Sequence, residues 1–308
     1  MQAEYQESAA YQASQYRNGF AMTLLGVLLI TPDALIVRLI DADAWTMVFW
    51  RGVLVPTTFL CFLAFRFGPS MIRDSLKVGG TAGIGVALCY TGTTFGFMGA
   101  LHHTSTANTL VILAASPFFA ALLSRLILKE RTPPQTWAAI VIGFAGIGVV
   151  MFEGLDAGAG RASLRGDAMA LFAALMLASS FVLIRRRKEV NMVPATAVGG
   201  YFAALIALPF AAPLAVDQHQ ALLIGLLGVV LLPVCFGLIA LGPRRLPAAE
   251  VSLLMLLETI IGPIWVWAVI GEVPGPYAVI GGLIVLGALT AHAIWRLKRR
   301  PAVAATAA

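Results

Sequence analysis

Glu258 stands in the middle of a long apolar run, AAEVSLLMLLETIIGPIWVWAVIGE from Ala248 to Glu272, with Glu250 near its start and Glu272 at its end. An ionisable side chain in such a run is costly in hydrocarbon, so it faces a bundle interior and marks a functional position by default. A carboxylate there can bind a proton, pair with an arginine or hold a cationic group. Two further charges of this kind come earlier: Asp33, directly after Pro32, and Arg51, inside the run that begins at Ala44. Proline removes a backbone donor and can free the carbonyl four residues back. Pro32-Asp33 therefore predicts an interrupted helix beside a carboxylate, an arrangement used to build binding sites within membranes. Asp33 has a plainer reading, as the partner of Arg51 or Arg38. Arg51 also has two: its planar fork fits a substrate carboxylate bidentately, and it fits as the counter-ion of Asp33 or Glu258, the reading we favour.

Polar and aromatic groups around these charges complete a candidate pocket. Glu258, Gly262 and Trp265 share one helical face, and Gly262 lets a neighbour approach closely. Tyr90 belongs to a polar patch with Thr91, Thr93 and Thr94, and Asn108 lies near the start of the next run. The candidate substrate-binding residues are thus Glu258, Asp33, Arg51, Tyr90, Asn108 and Trp265, with Glu258 and Asp33 the candidates for proton coupling. Glu250, close to Arg244 and Arg245, reads as interfacial, as does Arg38. That leaves two core carboxylates against one arginine. A bare charge is unfavourable in low dielectric, so a proton or a cationic group is expected to compensate it.

Other chemistries find no support. No phosphate-cradling loop is present, and Cys61, Cys89 and Cys235 lack metal-ligand spacing and read as small packing residues. His102, His103 and His219 fall in connections, and His292 lies near the end of the last run. Trp50 and Trp267 suit lipid-facing or interfacial positions. We expect no catalytic residues, no metal and no cofactor.

The elements that must position these groups follow from composition. Apolar residues make up 59% of the 308 and charged residues 12%, with a mean hydropathy of +0.88. A soluble domain carries roughly 25% charged residues, so this surface faces lipid. A hydrocarbon core of about 30 Å needs about 20 apolar residues per helix, and ten such runs fit. They are expected at 19–40, 44–67, 79–101, 105–128, 137–152, 166–184, 194–214, 221–241, 248–272 and 277–295. Apart from Arg38, Arg51, Arg161 and Arg165, every Arg and Lys falls in a segment on the side of the chain ends. The positive-inside bias then puts both termini in the cytoplasm. The net charge of +6 reflects this bias rather than nucleic-acid binding. The polar start of the chain does not read as a signal peptide.

The ten runs divide into two sets of five. Gly19-Phe-Ala-Met-Thr-Leu matches Gly166-Asp-Ala-Met-Ala-Leu at an offset of 147, which also places Arg38 on Arg185 and Gly52 on Gly199. Phe95-Gly96 matches Phe236-Gly237, Ala107 matches Ala249, and the closing Glu130 matches Glu272. Both terminal carboxylates are expected to be mainly structural. Glu258 has no acidic twin, because Ser116 takes its place. Five is odd, so the halves enter the membrane from opposite sides, an inverted-topology repeat of the kind transporters use to hold a midplane site.

At Phe49-Trp50-Arg51-Gly52, at Pro117-Phe118-Phe119-Ala120-Ala121-Leu122-Leu123 leading to Glu130, and at Leu257-Glu258 leading to Glu272, the sequence resembles the drug/metabolite transporter superfamily, in its ten-helix form with two EamA-type domains. The resemblance runs from about Gly19 to Arg296. That family usually has Glu-Pro where this chain has Glu258-Thr259, with proline only at Pro263, so the local helix geometry is open. The resemblance implies an all-α membrane protein of ten transmembrane helices in two five-helix inverted-topology repeats. The expected division is a cytoplasmic tail (1–18), a first EamA-like repeat (19–152), an outer linker (153–165), a second repeat (166–296) and a basic cytoplasmic tail (297–308).

The expected activity is secondary transport of a small polar or zwitterionic, amino-acid-like metabolite by alternating access. Export and proton coupling are expected, in a bacterial-type inner membrane, by a monomer with the lipid bilayer as its surroundings. Import or exchange of a cationic or otherwise charged metabolite or drug is the alternative. A lipid scramblase or membrane enzyme is the reading outside transport.

Overall fold

The computed structural model describes residues 17–67, 80–128, 133–153, 163–186, 193–241 and 248–298. Most of both tails, most of the 153–165 linker, Glu130 and the side chain of Glu250 lie outside the described residues. Among the described residues there are ten helices, seven of them long and apolar enough to cross a membrane and three with shorter apolar stretches, and no strand. They are α1 (Arg17–Ile40, interrupted at Thr31 and Pro32), α2 (Ala44–Phe67), α3 (Gly80–His103), α4 (Thr106–Ala114 and Ser116–Leu128) and α5 (Pro134–Glu153). The second set is α6 (Leu164–Arg186), α7 (Val193–Ala207), α8 (Gln218–Gly225, a π-helical turn at Leu226–Leu231, then Leu232–Leu241), α9 (Ala248–Ile270) and α10 (Pro276–Lys298).

At about 1.5 Å per residue, the 23 residues of α6, α9 or α10 reach roughly 35 Å, enough to cross the hydrocarbon core. Large apolar side chains such as Phe65, Leu205, Leu214 and Leu283 are exposed on the outside of the bundle, as a lipid-facing surface requires. Trp267 belongs to this surface too. Trp50 does not: it packs against the core cluster around Met47, Val48 and Phe97.

The packing follows the repeat. α2 packs on α7 and α5 on α10, pairing each helix with its own counterpart, and α3 runs along α6 much as α1 meets α8 through Gly26. The α4–α6 contact is likewise matched by α9–α1. Exchanging the halves maps these contacts onto one another, which defines two interlocked five-helix repeats. The self-paired crossings depend on glycine. A Cβ on Gly52 would lie 2.5 Å from the Gly200 carbonyl oxygen, and one on Gly281 would lie 2.6 Å from that of Gly146. Such close backbone approach between membrane helices is the usual role of small residues.

Two boundaries and one internal turn depart from expectation for a proline-related or capping reason. α7 stops at Ala207 rather than continuing to Leu214, because Pro209 and Pro213 lack donors and disfavour helix before them. α8 starts at Gln218, not Ala221, because Asp217 and Gln220 form a reciprocal capping box there. Its π-helical turn ends two residues before Pro233, where the missing N–H would leave a carbonyl unpaired. α9, in contrast, runs unbroken through Glu258-Thr259 and Pro263, while its counterpart α4 breaks at Ala115, two residues before Pro117.

Candidate functional site

The break in α1 creates the first charged group. Pro32 ends one helical stretch and precedes Asp33, which opens the eight-residue segment Asp33–Ile40. Thr31 turns its hydroxyl onto the Leu28 carbonyl at 2.8 Å. From α2, Arg51 donates through Nη1 to Asp33 Oδ1 at 2.6 Å and through Nη2 to Oδ2 at 3.2 Å. Both side chains are nearly sealed, 13% and 5% exposed, so this is a buried fork-on-carboxylate pair of the stronger kind. The guanidinium also lies over the Phe97 ring, 5.9 Å from its centroid. Arg51 is thus the counter-ion of Asp33, and Asp33 pairs with Arg51 rather than with Arg38.

Three more helices bring groups to this pair. Glu258 of α9 is within electrostatic reach of Asp33 and Arg51, and so is Tyr90 of α3. Buried Cys235 of α8 lies within reach of both Asp33 and Glu258; the sequence showed only a small apolar residue there. Trp265 donates from Nε1 to Thr31 Oγ1 at 3.1 Å, tying α9 to the α1 break. Gly262, on the same face, meets Leu110 of α4 and the Thr31 carbonyl. Four of the six expected residues are thereby gathered around Asp33–Arg51, Trp265 holds the adjoining break, and two carboxylates face one guanidinium.

Asn108 belongs elsewhere. It is fully buried at the start of α4, where its Nδ2 donates to Asp167 Oδ1 and Oδ2 at 3.2 and 3.4 Å. Asp167, also fully buried, accepts from the Thr104 hydroxyl at 2.7 Å. In the sequence Asp167 looks like an ordinary first-turn acid of α6, complementing the helix dipole; its burial depends on the other repeat.

Beside this group is a second ion pair. Arg38 donates from Nη2 to the Thr104 carbonyl at 2.6 Å and from Nε to Thr106 Oγ1 at 3.2 Å. Its Nε is 3.4 Å from Glu272 Oε2, and the Thr106 backbone N–H donates to Glu272 Oε1 at 2.7 Å. Arg38, expected at an interface, is 8% exposed. The cluster caps the face of the bundle opposite the chain ends and joins α1 and α4 to α6 and the α9–α10 connection.

An all-helical bundle of two interlocked repeats, with charged groups converging on a broken helix, defines a membrane transporter. The EamA-like transporter family model matches residues 17–152 and 164–291, and the chain belongs to that family. It is similar to a protein named riboflavin transporter from Rhizobium johnstonii, 28% identical over 186 residues, 59% of each chain. It is also similar to the Bacillus subtilis protein named uncharacterized transporter YdfC, 26% identical over 183 residues, 58% of this chain and 59% of that one. The matched region thus spans 59% of the length of these curated relatives. A crystal structure with 16% identity superposes with a TM-score of 0.64, covering 91% of this chain and 98% of its own, and shows the fold alone.

Proposed function

We propose that this transporter moves a small polar or zwitterionic, amino-acid-like metabolite outward, driven by protons, by alternating access at a site between the repeats. The observation that carries this reading is the charge balance at the α1 break. Among the described residues, Asp33 and Glu258 face Arg51 alone, which leaves one formal negative charge in a site of low dielectric. Removing that charge requires a proton or a cationic group, and a zwitterion offers its amino group to Glu258. Tyr90 and Trp265 supply the polar-edged aromatic surface that orients a small ligand.

The repeats at 19–152 and 166–296 rock about this site, with the linker 153–165 outside and the tails 1–18 and 297–308 in the cytoplasm. The positive-inside bias supports this orientation in a bacterial-type inner membrane. A monomer suffices, because one chain supplies both repeats. Import or exchange of a cationic metabolite is the second reading, and the same residual charge favours it. The scramblase or membrane-enzyme reading has no observation in its favour.

The test is counterflow in proteoliposomes with a panel of amino acids, cationic metabolites and riboflavin, the last after the name of the Rhizobium relative. Transport of a zwitterion that accelerates with an opposing proton gradient is the expected result. An Asp33→Asn, Glu258→Gln double variant that keeps the full pH dependence would sink the proton-coupling assignment.

A further inference from the structure

Two charged clusters are joined by the same two elements. The segment Asp33–Ile40 begins with Asp33, held by Arg51, and carries Arg38 near its end, held by Glu272 and Thr104. Arg38 comes five positions after Asp33, about 7.5 Å along a helix. α9 repeats the arrangement from the other side: Glu258 and Trp265 face the break, and Glu272 follows the last turn. The Asp33 pair lies within repeat one. Arg38–Glu272 is different, because it spans repeat one and repeat two. Beside Arg38 lies a cavity of about 370 Å³ lined by Val37, Met47, Met98, Leu101 and Ile270 among others. Opening the face opposite the chain ends therefore requires parting Arg38 from Glu272 and Thr106 from Glu272.

We infer that Arg38 and Glu272 are the gate on that face, and that the segment Asp33–Ile40 is the lever linking the gate to the central site. Hinges are a few loop or element-terminal residues, and the Thr31–Pro32 break places such a point between this segment and the rest of α1. A change at Asp33, by protonation or by an arriving ligand, alters its hold on Arg51 and moves the segment. Arg38 then shifts against Glu272 and the Thr104–Thr106 turn. Trp265–Thr31 keeps α9 in register with that motion. Arg38 and Glu272 are thus positioning residues, and the assignment rests on the transport reading only for its purpose, not for its geometry.

The test uses the full chain in detergent with Cys61→Ser, Cys89→Ser and Cys235→Ala, plus Met98→Cys in the cavity wall, 2% exposed in the closed face. Alkylation by a maleimide reports opening of that face. Glu272→Gln keeps the acceptor for the Thr106 N–H and removes only the charge, and should raise the rate about tenfold. Arg38→Gln should match it, Arg38→Lys should fall between, and Asp33→Asn should raise the rate through the lever. Ala174→Cys, fully buried in α6, should stay unreactive and so separates gate opening from general loosening. Rates within twofold of the parent in both Glu272→Gln and Arg38→Gln would overturn the gate. An equal rise at Ala174→Cys would do the same, whatever the melting temperature. Should Arg38→Gln fail to fold, the Glu272→Gln pair of measurements decides alone. Because alkylation needs no substrate, the gate can stand or fall separately from counterflow of any metabolite.

Discussion

Arg51 is committed twice to Asp33 and once to an aromatic ring, so its removal leaves a buried carboxylate without a partner. Breaking such a pair from one side typically costs about 3–5 kcal/mol. Arg51→Gln should lower the melting temperature in detergent sharply, and Asp33→Asn with Arg51→Gln together should lose less than the sum of the two single variants. Strict additivity in that cycle would mean the pair is not coupled. Glu258 differs, because among the described residues it has no hydrogen-bond or ion-pair partner of its own. Glu258→Gln should keep stability within about 1 kcal/mol, since it trades a charge for an isosteric amide, while abolishing the response of transport to a proton gradient. Trp265→Phe tests the fastening of the break. It removes one hydrogen bond, worth roughly 0.5–1.5 kcal/mol net, and should increase hydrogen exchange at the backbone around Thr31 more than elsewhere in α1.

Among the elements, the glycine crossings separate helices that pack backbone to backbone from helices that do not. Gly52→Ala would place a carbon 2.5 Å from a carbonyl oxygen of α7, and overpacking of this kind costs about 1–3 kcal/mol or more. Gly148→Ala, one face round α5, meets nothing within 4 Å and should be neutral or stabilising, by up to about 1 kcal/mol from helix propensity. Equal melting temperatures for the two variants would contradict the crossing. The helices also show where the halves stop being copies. α1, α4 and α8 are interrupted, while their counterparts α6, α9 and α3 run through. The interruption of α1 is the one that carries a buried ion pair, Asp33 with Arg51.

On the scale of the whole molecule, the repeats are fastened through buried polar groups as well as through hydrocarbon. Asp167→Ala should strip Thr104 and Asn108 of a common acceptor and leave both fully buried with unmet donors, at about 1–3 kcal/mol for each unmet group. A drop in thermal stability that is smaller in Asp167→Asn, which still accepts from Thr104, is the expected pattern; equal drops would place the cost in packing alone.

Much of this was legible in the chain. Ten apolar runs, proline positions and the five-plus-five repeat read directly from hydropathy and internal matches, because a helix in hydrocarbon must satisfy its backbone within itself. The carboxylate at Glu258 and the Pro32-Asp33 break were visible as costly residues in apolar surroundings. The partners were not. Asn108 could be seen only as a polar residue near a helix start, and Asp167 only as a first-turn acid, though they lie 59 residues apart and meet. Glu272 reaches the Thr106 amide across 166 residues. Helical periodicity says which side chains share a face over a few turns. Which faces meet is decided by close helix crossings such as Gly52 on Gly200, and these depend on the packing of the whole bundle. The sequence by itself thus determined the solvent, the helices, the repeat and which residues are too expensive to be idle. Only the tertiary structure decided that Arg51 answers Asp33, that Arg38 answers Glu272, and that the two pairs are joined by one short, broken-off segment of helix.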